Sequence, residues 1–121
     1  GLKVEALPSN QAIITCLAND TGYENIYSHQ LKNKARKGDI LLVLSGSGNS
    51  PNICSALKTA KEMGIYSYAI LAFSGGECLK NANCPIYFPI NDMQIAEDTQ
   101  LIIGHLCMQW LSQNKPNFSG I

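Results

Sequence analysis

Five apolar residues in a row, Ile40-Leu41-Leu42-Val43-Leu44, run directly into Ser45-Gly46-Ser47-Gly48-Asn49-Ser50-Pro51, and this junction limits the fold more than any other stretch of the chain. An apolar run of that length without polar alternation predicts a strand buried on both faces of a parallel sheet, and therefore a central one. Ser50 stands where a helix N-cap belongs and Pro51 at the first helical position. Strand, glycine turn and helix start together aim unpaired N–H groups and the positive end of a helix dipole at one point, where an anion can sit. A nucleotide P-loop is excluded because no lysine follows the glycines, and a dinucleotide fingerprint because Pro51 occupies its third glycine position. What remains are the hydroxyls of Ser45, Ser47 and Ser50, with Gly46 and Gly48 allowing close approach of the backbone. That set suits the phosphate monoester of a small molecule, held by neutral donors. A Ser/Gly-rich turn that only reverses the chain would use the same residues.

Around this junction the pattern alternates between strand and helix. Residues 2–7 alternate apolar and polar and predict a strand near a sheet edge, ended by Pro8-Ser9-Asn10. Residues 11–18 predict a short helix, followed by the turn Asn19-Asp20-Thr21-Gly22. Residues 23–37 predict a second helix closed by Gly38, with His29 as a surface or satisfied histidine. After the central strand come a helix over 51–63 with Gly64 at its C′ position, a strand over 66–73, and the turn Ser74-Gly75-Gly76. That turn is expected to face the same crevice as the 45–50 turn, since ligands in open α/β sheets bind beyond the carboxyl ends of the strands. A short helix over 77–82 and an edge strand over 84–90, bounded by Pro85 and Pro89, follow. Asp92 caps a final helix over 93–113 whose apolar positions exceed one narrow stripe. The breadth predicts burial against its own sheet and against another subunit. The order specifies an α/β protein with a mainly parallel sheet.

A chain of 121 residues, 45% hydrophobic, forms one domain with a core of its own. Nine basic residues balance nine acidic ones, which gives no footprint for nucleic acid or an anionic membrane. The one basic cluster, Lys32, Lys34, Arg36 and Lys37, reads as the solvated end of a helix. No stretch approaches the roughly 18 apolar residues of a membrane span, and the N-terminus lacks the pattern of a signal peptide, so a soluble cytoplasmic protein is expected. The five cysteines contain no C-x-x-C pair and read as small buried hydrophobes in a reducing compartment. With the two histidines they show no metal-ligand spacing.

The stretch Gly38-Asp39-Ile40-Leu41-Leu42-Val43-Leu44-Ser45-Gly46-Ser47-Gly48-Asn49-Ser50-Pro51-Asn52-Ile53 is similar to the signature of sugar isomerase (SIS) domains, and most resembles their phosphoheptose isomerase branch. Cys16-Leu17-Ala18-Asn19-Asp20-Thr21-Gly22-Tyr23 upstream and Ala60-Lys61-Glu62-Met63-Gly64 downstream resemble further segments of that branch, in the same order and spacing. The resemblance implies a flavodoxin-like three-layer α/β/α fold with a mainly parallel sheet. It runs from about Leu7 to about Leu111, and the domain is expected over residues 1–113 as the C-terminal two-thirds of the family domain, with 114–121 a tail. The family's N-terminal helices, first strand and N-G-G-S turn are lacking, as in a fragment or a natural short form.

The resemblance also assigns roles. Ser45, Gly46, Ser47 and Ser50 would bind the substrate phosphate, and Asn19 and Asp20 the sugar. The implied activity is aldose–ketose isomerisation of sedoheptulose 7-phosphate for cell-surface heptose biosynthesis. That reaction moves a proton between adjacent carbons and needs an acid/base pair. The family's glutamate comes from the lacking N-terminal region. On the final helix, alignment on Glu97 puts Ala96 in place of the family's glutamine and Gly104 in place of its histidine, with His105 one residue further on. One residue is about 100° of helix rotation, so His105 is the catalytic candidate but does not simply inherit the role, and the reading as an interface or core histidine is preferred. No cofactor is implied; a zinc ion is compatible with the family, but its ligands are not matched. The implied partners are a sugar phosphate and further copies of the chain, as a dimer or tetramer through the final helix. A second reading is a non-catalytic SIS module that senses a phosphosugar or scaffolds an assembly.

Overall fold

The computed structural model describes residues 3–114. Three strands, β1 (Ile40–Ser45), β2 (Tyr66–Leu71) and β3 (Cys84–Tyr87), form a wholly parallel sheet in the order β1-β2-β3. The helices are α1 (Gln11–Thr21), α2 (Ile26–Lys34), α3 (Pro51–Glu62), α4 (Gly76–Asn81) and α5 (Met93–Gln113). Leu41 pairs with Ser67 and Ser45 with Leu71, so the two strands present matching faces along their whole length. Leu41, Val43, Ala69 and Leu71 point to the side on which Leu31 of α2 and Ala56, Leu57 and Ala60 of α3 complete the core. Helix α3 forms because this apolar face recurs at helical spacing. It stops at Gly64, whose left-handed φ of 69° lets Ile65 N–H donate to Ala60 O at 2.8 Å.

The expected elements over 51–63, 66–73, 77–82, 84–90 and 93–113 are all present, the 93–113 helix with its bounds unchanged. Four expectations are corrected. Residues 3–6 form no strand, and Leu7–Ser9 is a single 3-10 turn. This segment is tied to α2 instead of the sheet: Gln30 Nε2 donates to Leu7 O at 3.2 Å, and Lys34 pairs with Glu5. Alternation over so few residues signals an exposed edge but supplies no partner strand. Helix α1 runs on through Asn19 and Asp20, so those residues are helical and the chain turns only at Gly22. The 23–37 helix is shorter, with a 3-10 turn over Tyr23–Asn25 before α2.

The fourth correction concerns β1. Among the described residues it lies at an edge of the sheet, and only one of its faces is covered. Leu41 is 8% exposed and Val43 5%, whereas Ile40 is 67%, Leu42 57% and Leu44 51% exposed. An unbroken apolar run reports that both faces avoid water, and nothing described here covers the second. On helix α5 only Ala96 is buried, so burial against its own sheet is confined to that residue.

Candidate functional site

Strand β1 ends by delivering Ser45, 7% exposed, to the carboxyl end of the sheet. The turn that follows is built from its own hydroxyls: Ser45 Oγ accepts from Gly48 N at 3.1 Å and Ser47 Oγ from Asn49 N at 3.2 Å. A hydroxyl that accepts an N–H keeps its own proton to donate. Ser50 occupies the N-cap position of α3, but its side chain makes no capping bond. The first turn of α3 is satisfied otherwise: Ile53 N and Cys54 N each donate to Ser50 O at 3.0 Å, and Asn52 Oδ1 accepts from Ile53 N at 2.9 Å. The Ser50 hydroxyl and the amides of Ser47 and Ser50 therefore enter none of the turn's hydrogen bonds. These groups sit where the α3 dipole favours negative charge.

A second loop braces the first. Ala72 N donates to Gly46 O at 3.0 Å and Cys78 N to Gly48 O at 2.9 Å. Asn49 Oδ1 accepts from Glu77 N at 3.0 Å, so one side chain joins the two turns. Nothing local to Asn49 signals this role, because its partner is 28 residues away. The fit is tight enough to demand glycine at position 48: its φ is +68°, and a Cβ there would lie 2.0 Å from Gly75 O. Phe73, with φ +49°, holds a left-handed conformation that glycine normally takes, kept in place by Phe73 N to Ile90 O at 3.0 Å and by Tyr87 Oη donating to Phe73 O at 2.7 Å. These two bonds tie Phe73 to the end of β3 and the segment after it, while the bonds from Ala72, Glu77 and Cys78 hold the 73–77 turn against the 45–50 turn.

The described chain thus gathers Ser45, Gly46, Ser47 and Ser50 into one turn. Asn19 and Asp20 are exposed on the last turn of α1, where Asn19 Nδ2 donates to Asp20 Oδ1 at 2.8 Å. No hydrogen bond links either of them to the 45–50 turn. Cys16 Sγ donates to Asp20 Oδ2 at 3.5 Å, and this bond, with the carboxylate charge, raises the Cys16 pKa. His105 is exposed on α5. The helix starts beside the turn, since Met93 Sδ lies 2.7 Å from where a Gly46 Cβ would be. His105 comes twelve residues later, about 18 Å along the axis at the usual helical rise.

All five cysteines are free, but they are not all buried as expected: Cys16 and Cys107 are exposed, Cys54 and Cys84 half-buried, and Cys78 buried. Cys54 Sγ and Cys78 Sγ lie 3.8 Å apart directly behind the turn. Burial, with the neighbouring Cys54, pushes the Cys78 thiol up to about 12. Among the described residues no three His, Cys, Asp or Glu side chains gather as a metal-binding group would. No described helix is long and apolar enough to cross a membrane.

Comparison with known proteins agrees with this fold. Residues 2–72 match the family model described as SIS domain. The chain is 36% identical over 101 residues to a phosphoheptose isomerase of Sulfurimonas denitrificans, covering 84% of this chain and 52% of that protein. To the phosphoheptose isomerase of Clostridium acetobutylicum it is 37% identical over 101 residues, with the same 84% and 52% coverage. It spans about half the length of these relatives. Among solved structures, a phosphoheptose isomerase from Francisella tularensis superimposes with a TM-score of 0.89 at 28% identity, covering 93% of this chain and 63% of that one. The phosphoheptose isomerase of Neisseria gonorrhoeae, at 24% identity, gives 0.87 with 90% and 61% covered, and shows the same three-layer α/β fold. The chain belongs to the SIS domain family, and over about half their length it is similar to phosphoheptose isomerases.

Proposed function

We propose that this chain binds a sugar phosphate at the 45–50 turn, with Ser45, Ser47 and Ser50 donating hydroxyl protons to the phosphate and Gly46 letting the backbone approach. The observation that carries this reading is the unused hydroxyl of Ser50 at the start of a twelve-residue helix, beside two serines whose protons are still free to donate. Sequence similarity to phosphoheptose isomerases supports a sedoheptulose 7-phosphate-like ligand and aldose–ketose isomerisation as the activity of the whole protein. Asn19 and Asp20 would accept hydrogen bonds from sugar hydroxyls. Thermal unfolding against a panel of sugar phosphates tests the reading: a ligand at 100 times its Kd stabilises by about 2.7 kcal/mol. A folded chain whose melting no sugar phosphate raises would refute it.

Two features favour the non-catalytic alternative, a sensing or scaffolding module. His105 lies about 18 Å along α5 from the residue that touches the turn, and the family's glutamine and histidine positions hold Ala96 and Gly104. If His105 acts at all, it acts on the turn of another copy of the chain. Turnover of sedoheptulose 7-phosphate by the purified chain supports the isomerase; binding without turnover supports the module. The apolar residues of α5, with Leu101, Leu106 and Trp110 59–61% exposed, favour a homo-oligomer through this helix. A sedimentation mass equal to one chain at micromolar concentration would contradict that. A cytoplasmic location fits five free thiols and a phosphorylated metabolite.

A further inference from the structure

We infer that Cys54 and Cys78 are a modification site: with a peroxide they form a reversible disulfide, and that bond deforms the 45–50 turn. The two sulfurs are 3.8 Å apart, one on α3 and one on α4. Cys54 opens into a surface cavity of about 550 Å³, also lined by Lys58 and Lys61. Cys78 is 0% exposed. A small oxidant therefore meets Cys54 first. Its thiolate sulfur attacks one peroxide oxygen, the O–O bond breaks, and Cys54 becomes a sulfenic acid as hydroxide leaves and is protonated to water. The Cys78 sulfur then attacks the Cys54 sulfur, the S–O bond breaks, and the hydroxyl leaves as water with the Cys78 proton. Two thiols are oxidised and one peroxide is reduced to two waters. The raised pKa of Cys78 keeps its thiol protonated until the sulfenic acid forms beside it.

The link to the turn is geometric. Closing an S–S bond of about 2.05 Å requires the sulfurs to approach by about 1.8 Å. Both cysteines touch the same carbonyl: Cys78 N donates to Gly48 O at 2.9 Å, and Cys54 Sγ lies 3.9 Å from it. Position 48 has no slack, since even a Cβ would meet Gly75 O at 2.0 Å. Movement of either sulfur therefore bears on the carbonyl of the turn that both cysteines touch.

The experiment treats the full chain with one equivalent of hydrogen peroxide. Cross-links are then mapped by peptide mass, and hydrogen exchange over 45–50 and sugar-phosphate affinity are measured before and after reduction with dithiothreitol. The expected result is a Cys54–Cys78 cross-linked peptide two hydrogens lighter than its parts. With it should come exchange over 45–50 faster by about tenfold and binding weaker by about tenfold, both restored by reduction. Cys54→Ser, at a half-buried position, should fold normally and abolish all three changes. Cys54 passing to sulfinic acid while Cys78 stays a free thiol would overturn the inference, as would a cross-link that leaves exchange over 45–50 unchanged. The affinity arm rests on the proposed phosphate site. A reduced chain that binds no sugar phosphate refutes that site, while peptide map and exchange still decide the disulfide.

Discussion

Two helices of this chain begin at the same turn and have opposite fates. Helix α3 starts at Pro51, has twelve residues, and buries Asn52, Ala56, Leu57, Thr59 and Ala60 against the sheet and α2. Helix α5 starts beside Gly46, has 21 residues, and buries only Ala96. Both are rich in apolar residues, so composition does not separate them. The difference teaches that α3 is held by the chain's own core, whereas most of α5's apolar surface is matched by nothing in the described residues. A helix in water draws most of its stability from packing of an apolar face, and α5 has that support only near its start, where Gln100 Nε2 donates to Ile70 O at 3.4 Å.

The comparison can be broken most sharply at Leu57, 1% exposed in the core. Leu57→Ala should cost about 2–5 kcal/mol, read as a lower urea midpoint at unchanged slope. A cost below about 1 kcal/mol would mean that α3 is no better anchored than α5. Gly48→Ala comes next. It forces a side chain into a left-handed backbone and against Gly75 O, and should cost on the order of 3 kcal/mol. Normal stability in this variant would show that the two braced loops are free to part.

A pH effect distinguishes the regions next. In the unfolded chain the Cys78 thiol loses its proton near its ordinary 9.0, and in the fold near 12. Between these values the unfolded chain binds fewer protons, so the stability contributed by Cys78 is complete below pH 9 and declines as pH rises, by up to about 1.4 kcal/mol per pH unit. Denaturation midpoints of the native chain should therefore fall more steeply above pH 9 than those of Cys78→Ala. Parallel curves would contradict the burial argument. The smallest effect belongs to α5: Leu106→Ala should change the stability of the single chain by less than about 0.5 kcal/mol. A loss of 2 kcal/mol or more that depends on protein concentration would show that this face is covered by another copy.

How much of this was legible in the sequence follows the same division. Several locally encoded features match the structure: the 45–50 turn, Pro51 at the start of α3, Gly64 after its end, and Asp92, whose Oδ1 accepts from Ile95 N at 3.1 Å to open α5; the expected turn at Asn19 and Asp20, also local, does not. Features that depend on a partner distant in sequence were not legible. The alternation over residues 2–7 has no strand to pair with, and the apolar run of β1 has a cover on one side only. The bond from Asn49 to Glu77 and the approach of Cys54 to Cys78 join residues 28 and 24 apart. Within the site, sequence placed Ser45, Ser47 and Ser50 together but misassigned their structural duties. It predicts that Ser50 caps α3, whereas that bond is not made and Ser47 supports the turn instead.

That reversal gives the most direct test of the central claim, that the Ser50 hydroxyl is kept for a phosphate and not for the fold. The affinity of Ser50→Ala for a sugar phosphate that binds the native chain should be measured calorimetrically, with apo melting recorded alongside and Ser47→Ala as the companion. Loss of one hydroxyl donor to a charged acceptor is worth about 1.5–3 kcal/mol, so Ser50→Ala should bind roughly ten- to a hundredfold more weakly while melting like the native chain. Ser47→Ala should lose comparable affinity and also about 1 kcal/mol of apo stability, because Asn49 N loses its acceptor. Native affinity in Ser50→Ala, or an affinity loss accompanied by an equal loss of apo stability, would contradict the account.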